Sequence, residues 1–330
     1  MRVTWLLPFI LLVLYHSNVR SQDIHWSQID QVQSYQNPSY IGQFEDDIKL
    51  TFAAKDQWRS VTKPYQTYFI ASDTKFRKYE WLSIGFNLFT DVVGDGSFKT
   101  HQIDLISKFE KKINSKITFS LGFDFGLTNK NIDFTKFKFD NQYDGFKYNE
   151  LLSTNETFNN SSFLHPTIGT GASIKFLLNK YNEIILGYSI FNINQPVESF
   201  YTKQITRPNR SNYNFIYRYI GERHSFSGSI NYDYQKTYKK TLIGFYDDIK
   251  TNNIKTHHYH TGIAYRHLDA IIIHLGISYL KSKIILSYDI NTSKLNVASQ
   301  GRGSFEINIQ YLLKKKPIYF PIKPTCIDYF

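Results

Sequence analysis

Ser282-Lys-Ile-Ile-Leu-Ser-Tyr-Asp-Ile-Asn291 and Ser304-Phe-Glu-Ile-Asn-Ile-Gln-Tyr311, joined by a polar stretch punctuated with glycine, decide the fold. Each alternates with period two, the repeat of a β-strand whose faces meet different surroundings. In the second, Phe305, Ile307, Ile309 and Tyr311 point one way, and Ser304, Glu306, Asn308 and Gln310 the other. The alternation is also unbroken over residues 117–125: Ile117, Phe119, Leu121, Phe123 and Phe125 share one face, Thr118, Ser120, Gly122 and Asp124 the opposite one. Sustained apolar-out, polar-in alternation closes a β-barrel in lipid, because only a helix or a closed barrel satisfies every backbone group there.

Composition agrees. A mean hydropathy of −0.38 alone suggests a soluble chain, but barrels read the same way because half of each strand faces polar surroundings. The 27 Phe and 25 Tyr break the tie, since aromatic residues build the two interfacial girdles of such a barrel. At the start, Arg2 precedes a short apolar run, residues 6–14, too brief to span a bilayer. Residues 1–21 therefore read as a secretory signal, with the mature chain beginning at Gln22. Loss of Arg2 and Arg20 leaves 37 basic residues against 28 acidic ones, a net charge of +9. The basic residues are scattered through turns rather than gathered in one tract, which favours anionic lipid headgroups or glycans over nucleic acid. Cys326 is the single cysteine, so no intramolecular disulfide framework forms.

The expected layout has four parts: signal 1–21, a periplasmic N-terminal segment 22–44, a barrel over 45–313 and a periplasmic tail 314–330. About thirteen strand-like segments are visible, and single-chain barrels take even numbers. The expectation is thus an all-β outer-membrane barrel of about 12–14 antiparallel strands with long extracellular loops. Residues 128–163 and 192–222 form the two long interruptions, which in barrels lie on the outer side.

Catalytic and metal signatures are weak. His258 and His260 share a strand face beside His257, but no neighbouring cysteine or acid completes a metal set, and polar lumen or interfacial residues explain them better. Asp140, Gln142, Asp144 and Gly145 resemble the opening of a calcium loop, yet the twelfth position is Leu151 instead of an acid. Asp91 and Asp95 fit a hairpin turn. The lumenal acids Asp124, Asp289 and Glu306 have partners across the barrel that spacing does not reveal. Enzyme is the least supported class, and neither cofactor nor metal is expected. Among inward positions, Arg266, His274 and Gln310 fill a lumen, whereas Gly122, Ser227, Ser229 and Gly276 leave room.

A further set of motifs runs along the chain: Asp23-Ile-His-Trp-Ser-Gln28 with Asn37-Pro-Ser-Tyr-Ile-Gly42, Asp56-Gln-Trp58 followed by Pro64-Tyr-Gln-Thr-Tyr68, and Asp91-Val-Val-Gly-Asp-Gly96. Ile132-Asp-Phe134, Phe139-Asp-Asn-Gln-Tyr-Asp-Gly145, residues 187–196, Tyr265-Arg-His-Leu-Asp-Ala-Ile-Ile272 and residues 288–303 follow. In these motifs and their order the chain resembles the PorP/SprF family of outer-membrane proteins associated with the type IX secretion system. The ending Cys-Ile-Asp-Tyr-Phe departs from the Cys-Pro-containing ending expected of the family. The resemblance implies a non-enzymatic partner in secretion. It would help export, and hold at the cell surface, an adhesin-like cargo with a C-terminal sorting domain. Links to gliding motility, to a periplasmic lipoprotein and to other components of the machinery are also implied. The cargo-binding candidates lie in the two interruptions: Phe137, Phe139, Tyr143, Phe146, Phe200, Tyr201, Arg207 and Arg210, residue types that dominate binding hot spots. The alternative reading is an outer-membrane channel for small or hydrophobic solutes.

Overall fold

A computed structural model describes residues 24–57, 59, 63–94, 98–156, 160–200, 205–251, 257–293 and 299–314. The signal, Gln22, Asp95, Tyr201, Cys326 and all of the tail after Lys314 lie outside the described residues.

Fourteen antiparallel strands form a closed barrel. They are β1 (Ile48–Gln57), β2 (Tyr65–Lys75), β3 (Leu82–Val93), β4 (Phe98–Lys112), β5 (Ile117–Asn131), β6 (Ser162–Leu177) and β7 (Asn182–Phe191). After these come β8 (Arg210–Ile220), β9 (His224–Gln235), β10 (Tyr238–Lys250), β11 (His257–Arg266), β12 (Ala270–Tyr279), β13 (Ser282–Asn291) and β14 (Arg302–Leu313). Each strand pairs with its sequence neighbours, and β1 pairs with β14 to close the circle, with Lys55 opposite Glu306 and Ala53 opposite Asn308. Closure leaves no open edge in lipid.

The expected facing is observed. Leu105, Phe125, Ile263 and Leu275 point outward and are more than half exposed, as lipid-facing side chains must be. Ser120, Asp124, Ser304, Glu306 and Asn308 point inward and are buried. Outward aromatics gather at both ends of the strands, with Trp81 stacked on Phe109 at one end and Tyr188 beside Tyr213 at the other. These are the two girdles that the aromatic content anticipates.

β8 lies inside the interruption expected over residues 192–222. Its outward face is Tyr213, Phe215, Tyr217 and Tyr219, while Arg210, Asn212, Asn214 and Arg218 face inward. The inward face is polar enough to read as loop, yet the alternation is complete. The connection between β7 and β8 is therefore residues 192–209, and that between β5 and β6 is residues 132–161. Both leave the same end of the barrel. At the opposite end the turns are short, and both the lead-in to β1 and the exit from β14 lie there. In outer-membrane barrels the short turns are periplasmic and the long loops extracellular.

The largest difference from expectation is the N-terminal segment. Over residues 22–44 a periplasmic stretch is expected, and residues 24–44 instead fold within the lumen. Trp26, Ile29, Val32, Tyr40 and Ile41 are each at most 3% exposed. A four-residue helix, α1 (Gln33–Gln36), and a 3₁₀ turn over Pro38–Tyr40 are its regular elements. Trp26, Ile29 and Val32 pack against inward-facing Ala53, Phe69, Ala71, Phe89, Leu242, Ala264 and Ile272. The physical reason is that this lumen wall is not uniformly polar. Its apolar patches need a cover, and the chain's own lead-in supplies one by hydrophobic burial.

Candidate functional site

The inner segment is held by wall residues that the alternation places but does not pair. The Glu306 carboxylate on β14 accepts the backbone N–H groups of Ser27 at 2.8 Å and Gln28 at 3.0 Å. Asp289 on β13 accepts the Ser27 hydroxyl at 2.8 Å and also meets the Arg266 guanidinium. Lys55 on β1 donates to the His25 carbonyl at 2.8 Å and lies 3.8 Å from Glu306. Two of the three lumenal acids, Asp289 and Glu306, are thus engaged in fastening the segment. Arg210, expected among the outer-loop residues, opens β8 and points inward. Its guanidinium sits between the rings of Tyr35 and Phe191, at 4.4 and 4.5 Å, and donates to the Tyr35 carbonyl at 3.0 Å.

Asn37-Pro38-Ser39-Tyr40 has its own seat. The Asn37 amide donates to the carbonyls of Ala172 at 3.3 Å and Tyr188 at 3.2 Å, and its oxygen caps the 3₁₀ turn through the Ser39 N–H at 2.9 Å. The floor of the seat is glycine. A Cβ on Gly122 would lie 2.4 Å from the backbone of Pro38 and Ser39; one on Gly171 would lie 2.1 Å from the Asn37 oxygen, and one on Gly187 2.2 Å from the Tyr40 hydroxyl. Close approach explains why these inward positions carry no side chain. The substitution Gly122→Val is expected to destabilise the protein by about 1–3 kcal/mol through overpacking. It is also expected to expose residues 24–44 to limited proteolysis while the barrel remains resistant. Unchanged protection would reject the seat.

Between the inner segment and the long loops lies a cavity of about 540 Å³. Its floor includes Ile24, His25 and Tyr35, and its wall includes the acids Asp91, Asp104 and Asp124 and the rings of Phe89, Phe163 and Phe191. The β7–β8 loop covers it with Glu198, Phe200 and Arg207. A second cavity of about 230 Å³ lies toward the short-turn end, lined by Asp30, Tyr246, Asp248, His260 and Lys283.

The remaining candidates divide. Phe146 is fully exposed and Tyr143 half exposed in the β5–β6 loop, whereas Phe137 and Phe139 pack on each other with ring centroids 6.2 Å apart. Phe200 is drawn inward against Phe163 at 4.8 Å. The calcium-like stretch is an ordinary turn, in which Asp144 accepts the N–H groups of Phe146 and Lys147 at 3.0 and 2.9 Å. His258 and His260 do share the inward face of β11, and an acid unseen in the sequence, Asp248, lies 2.9 Å from the His260 Nδ1. Among the described residues no three His, Cys, Asp or Glu side chains are placed to hold a metal.

Sequence reasoning missed Lys130, His165 and Glu198. The Glu198 carboxylate lies 2.7 Å from Lys130 Nζ, 3.1 Å from His165 Nε2 and 3.6 Å from Arg207. Burial alone would push the Glu198 carboxyl up, but contact with His165 and the charges of Arg207 and Lys130 outweigh it and hold it below the ordinary glutamate range. These groups lie far apart in sequence, and no local spacing marks them.

Among solved structures, the CymD monoaromatic hydrocarbon channel superposes with a TM-score of 0.51 and 12% identity, over 86% of this chain and 93% of that one. A FadL homologue of Pseudomonas aeruginosa gives 0.49 and 11% identity, over 85% and 94% of the two chains. The KdgM porin in complex with disordered oligogalacturonate gives 0.42 and 6%, over 80% and 99%. At 12% identity the likeness to CymD is one of fold. No curated protein matches the sequence significantly. A family model does match, that of the type IX secretion system membrane protein PorP/SprF, over residues 18–311. With the closed barrel and its lipid-facing girdles, that match identifies an outer-membrane component of the secretion system: the chain belongs to the PorP/SprF family.

Proposed function

We propose that the protein is a non-enzymatic outer-membrane adaptor of type IX secretion, which supports export and surface attachment of a cargo protein with a C-terminal sorting domain. The observation that carries this reading is the inner segment. Residues 24–44 occupy the lumen, so the surfaces left for a large partner are the outer cavity and the two long loops. Phe146, Leu151 and Tyr143 on the β5–β6 loop expose apolar area of the kind that marks protein contacts. The cargo is adhesin-like on this reading, gliding motility is the cellular process it would serve, and the short-turn end is left for a periplasmic lipoprotein of the machinery.

Replacing residues 132–161 by a short turn is expected to preserve insertion and heat-modifiable mobility, yet to release cargo from the cell surface, read by surface labelling and by cargo in the medium. Removal of residues 192–209 is expected to act in the same direction. Cargo retention unchanged after both deletions would sink the adaptor. The second reading, a channel for small or hydrophobic solutes, draws on the aromatic lining of the 540 Å³ cavity. It requires the inner segment to move.

A further inference from the structure

The described residues of the β7–β8 loop bring Glu198, Phe200 and Arg207 to the outer cavity. Its arms are tied to each other: the Glu198 N–H donates to the Ile205 carbonyl at 2.7 Å, the Arg207 N–H donates to the Pro196 carbonyl at 2.9 Å, and Val197 bridges Thr206. This delivers two side chains, two positions apart, into the cavity. Glu198 enters the cluster of Lys130, His165 and Arg207, while Phe200 enters a ring pocket, 4.8 Å from Phe163, 5.9 Å from Phe98 and 6.0 Å from Phe134.

Most of the receiving groups belong to the barrel, whereas the two occupants belong to a loop. Lys130 and Phe98 lie on β5 and β4, and His165 and Phe163 on β6, all within the hydrogen-bonded barrel. Glu198 and Phe200 come from the β7–β8 loop, which also carries Arg207. That loop is fastened to β6 upstream of them, where the Ile193 N–H donates to the Ile168 carbonyl at 3.0 Å and the Asn194 amide to the Pro166 carbonyl at 2.8 Å. Displacing the two side chains breaks no strand pair. Lys130 and His165 are at most 14% exposed, so leaving them without an acceptor is costly. A carboxylate among them offsets that cost, and nothing in the wall requires it to be this one.

We infer that the cluster is a peptide-recognition site, in which Glu198 and Phe200 stand in for an acidic and an aromatic residue two positions apart on an incoming extended polypeptide. Exchange replaces one carboxylate by another and one ring by another, so the buried donors are not stripped. Alternate side chains of an extended peptide point to the same side, which matches the spacing of ion cluster and ring pocket. The inference rests on the reading that the outer mouth meets a secreted polypeptide, and it names the chemistry of the segment that would be recognised.

The probe is a fluorescent peptide Val-Glu-Ser-Phe, copying residues 197–200, titrated against the purified full chain in nanodiscs and read by anisotropy. The internal occupant competes with the probe, so the E198Q/F200A variant is expected to bind it about tenfold or more tightly than the unaltered protein. Adding Lys130→Ala to that variant is expected to lose about tenfold or more. A probe with Gln for Glu, or Ala for Phe, is expected to bind as weakly. Equal affinity of the unaltered protein and E198Q/F200A, or equal binding of the altered probes, would overturn the inference. If the double variant fails to insert, Phe200→Ala alone serves, since it keeps the ion cluster, and unchanged affinity there is equally decisive. Cargo retention in cells is scored separately. Retention lost on loop deletion without any peptide binding rejects this site and leaves the adaptor standing, whereas tight peptide binding with cargo retained does the reverse.

Discussion

Deletion of residues 24–44 is expected to turn a protein of low conductance into an open pore. In planar bilayers the unaltered chain should show little sustained current, because Trp26, Ile29, Val32 and Tyr40 fill the lumen at no more than 3% exposure. Without them a fourteen-stranded barrel keeps a passage, and conductance should rise about tenfold or more. The opened passage should show little preference for anions. Its lysines pair with acids on the same or the next strand: Lys49 with Asp73 at 3.1 Å, Lys108 with Glu110 at 2.8 Å and Lys240 with Asp233 at 2.6 Å. The net positive charge of the chain thus does not line the lumen as an unpaired field. Large, stable current from the unaltered protein, insensitive to cargo, would overturn the adaptor reading and promote the channel. Current equally small before and after deletion would show that something besides residues 24–44 closes the passage.

What the sequence made legible follows from the range of the interactions concerned. Facing was readable because it depends only on alternation, a local property. Ile117, Phe119, Leu121, Phe123 and Phe125 point outward as expected, and Ser120, Gly122 and Asp124 point inward. β8 was hidden by composition, since inward Arg210, Asn212 and Asn214 look like loop until Asp233 and Asn231 on β9 are seen to accept the amide N–H groups of the two asparagines. The inner segment was hidden for a different reason. Its motif Asn37-Pro38-Ser39-Tyr40 was visible, but its receptor is three glycines on three different strands, residues 122, 171 and 187. A missing side chain does not announce what fills its place. The Glu198 cluster is non-local in the same sense, drawing on residues 130, 165, 198 and 207. Alternation therefore yields the barrel, whereas the contents of the barrel require the closed three-dimensional wall.

Substitution of Leu105 by Arg is expected to cost about 2–4 kcal/mol, the penalty for a cation on the lipid face near the bilayer midplane. Leu105 is 58% exposed at the middle of β4, so the guanidinium would meet hydrocarbon. The control must be an inward position with room. Asn308 satisfies alternation but is 1% exposed, and a longer side chain there would collide with its surroundings. Gln102 is the better choice. It faces inward on the same strand, borders the 540 Å³ cavity and donates to Asp104 at 2.7 Å, a contact an arginine can keep. Gln102→Arg is accordingly expected to cost at most about 1 kcal/mol, since the group stays in a polar and solvated space. Denaturant unfolding in lipid vesicles, followed by the change in electrophoretic mobility of the folded barrel, measures both. Similar losses at 102 and 105 would mean that the two faces meet the same surroundings, and the assignment of lipid to one and lumen to the other would fail.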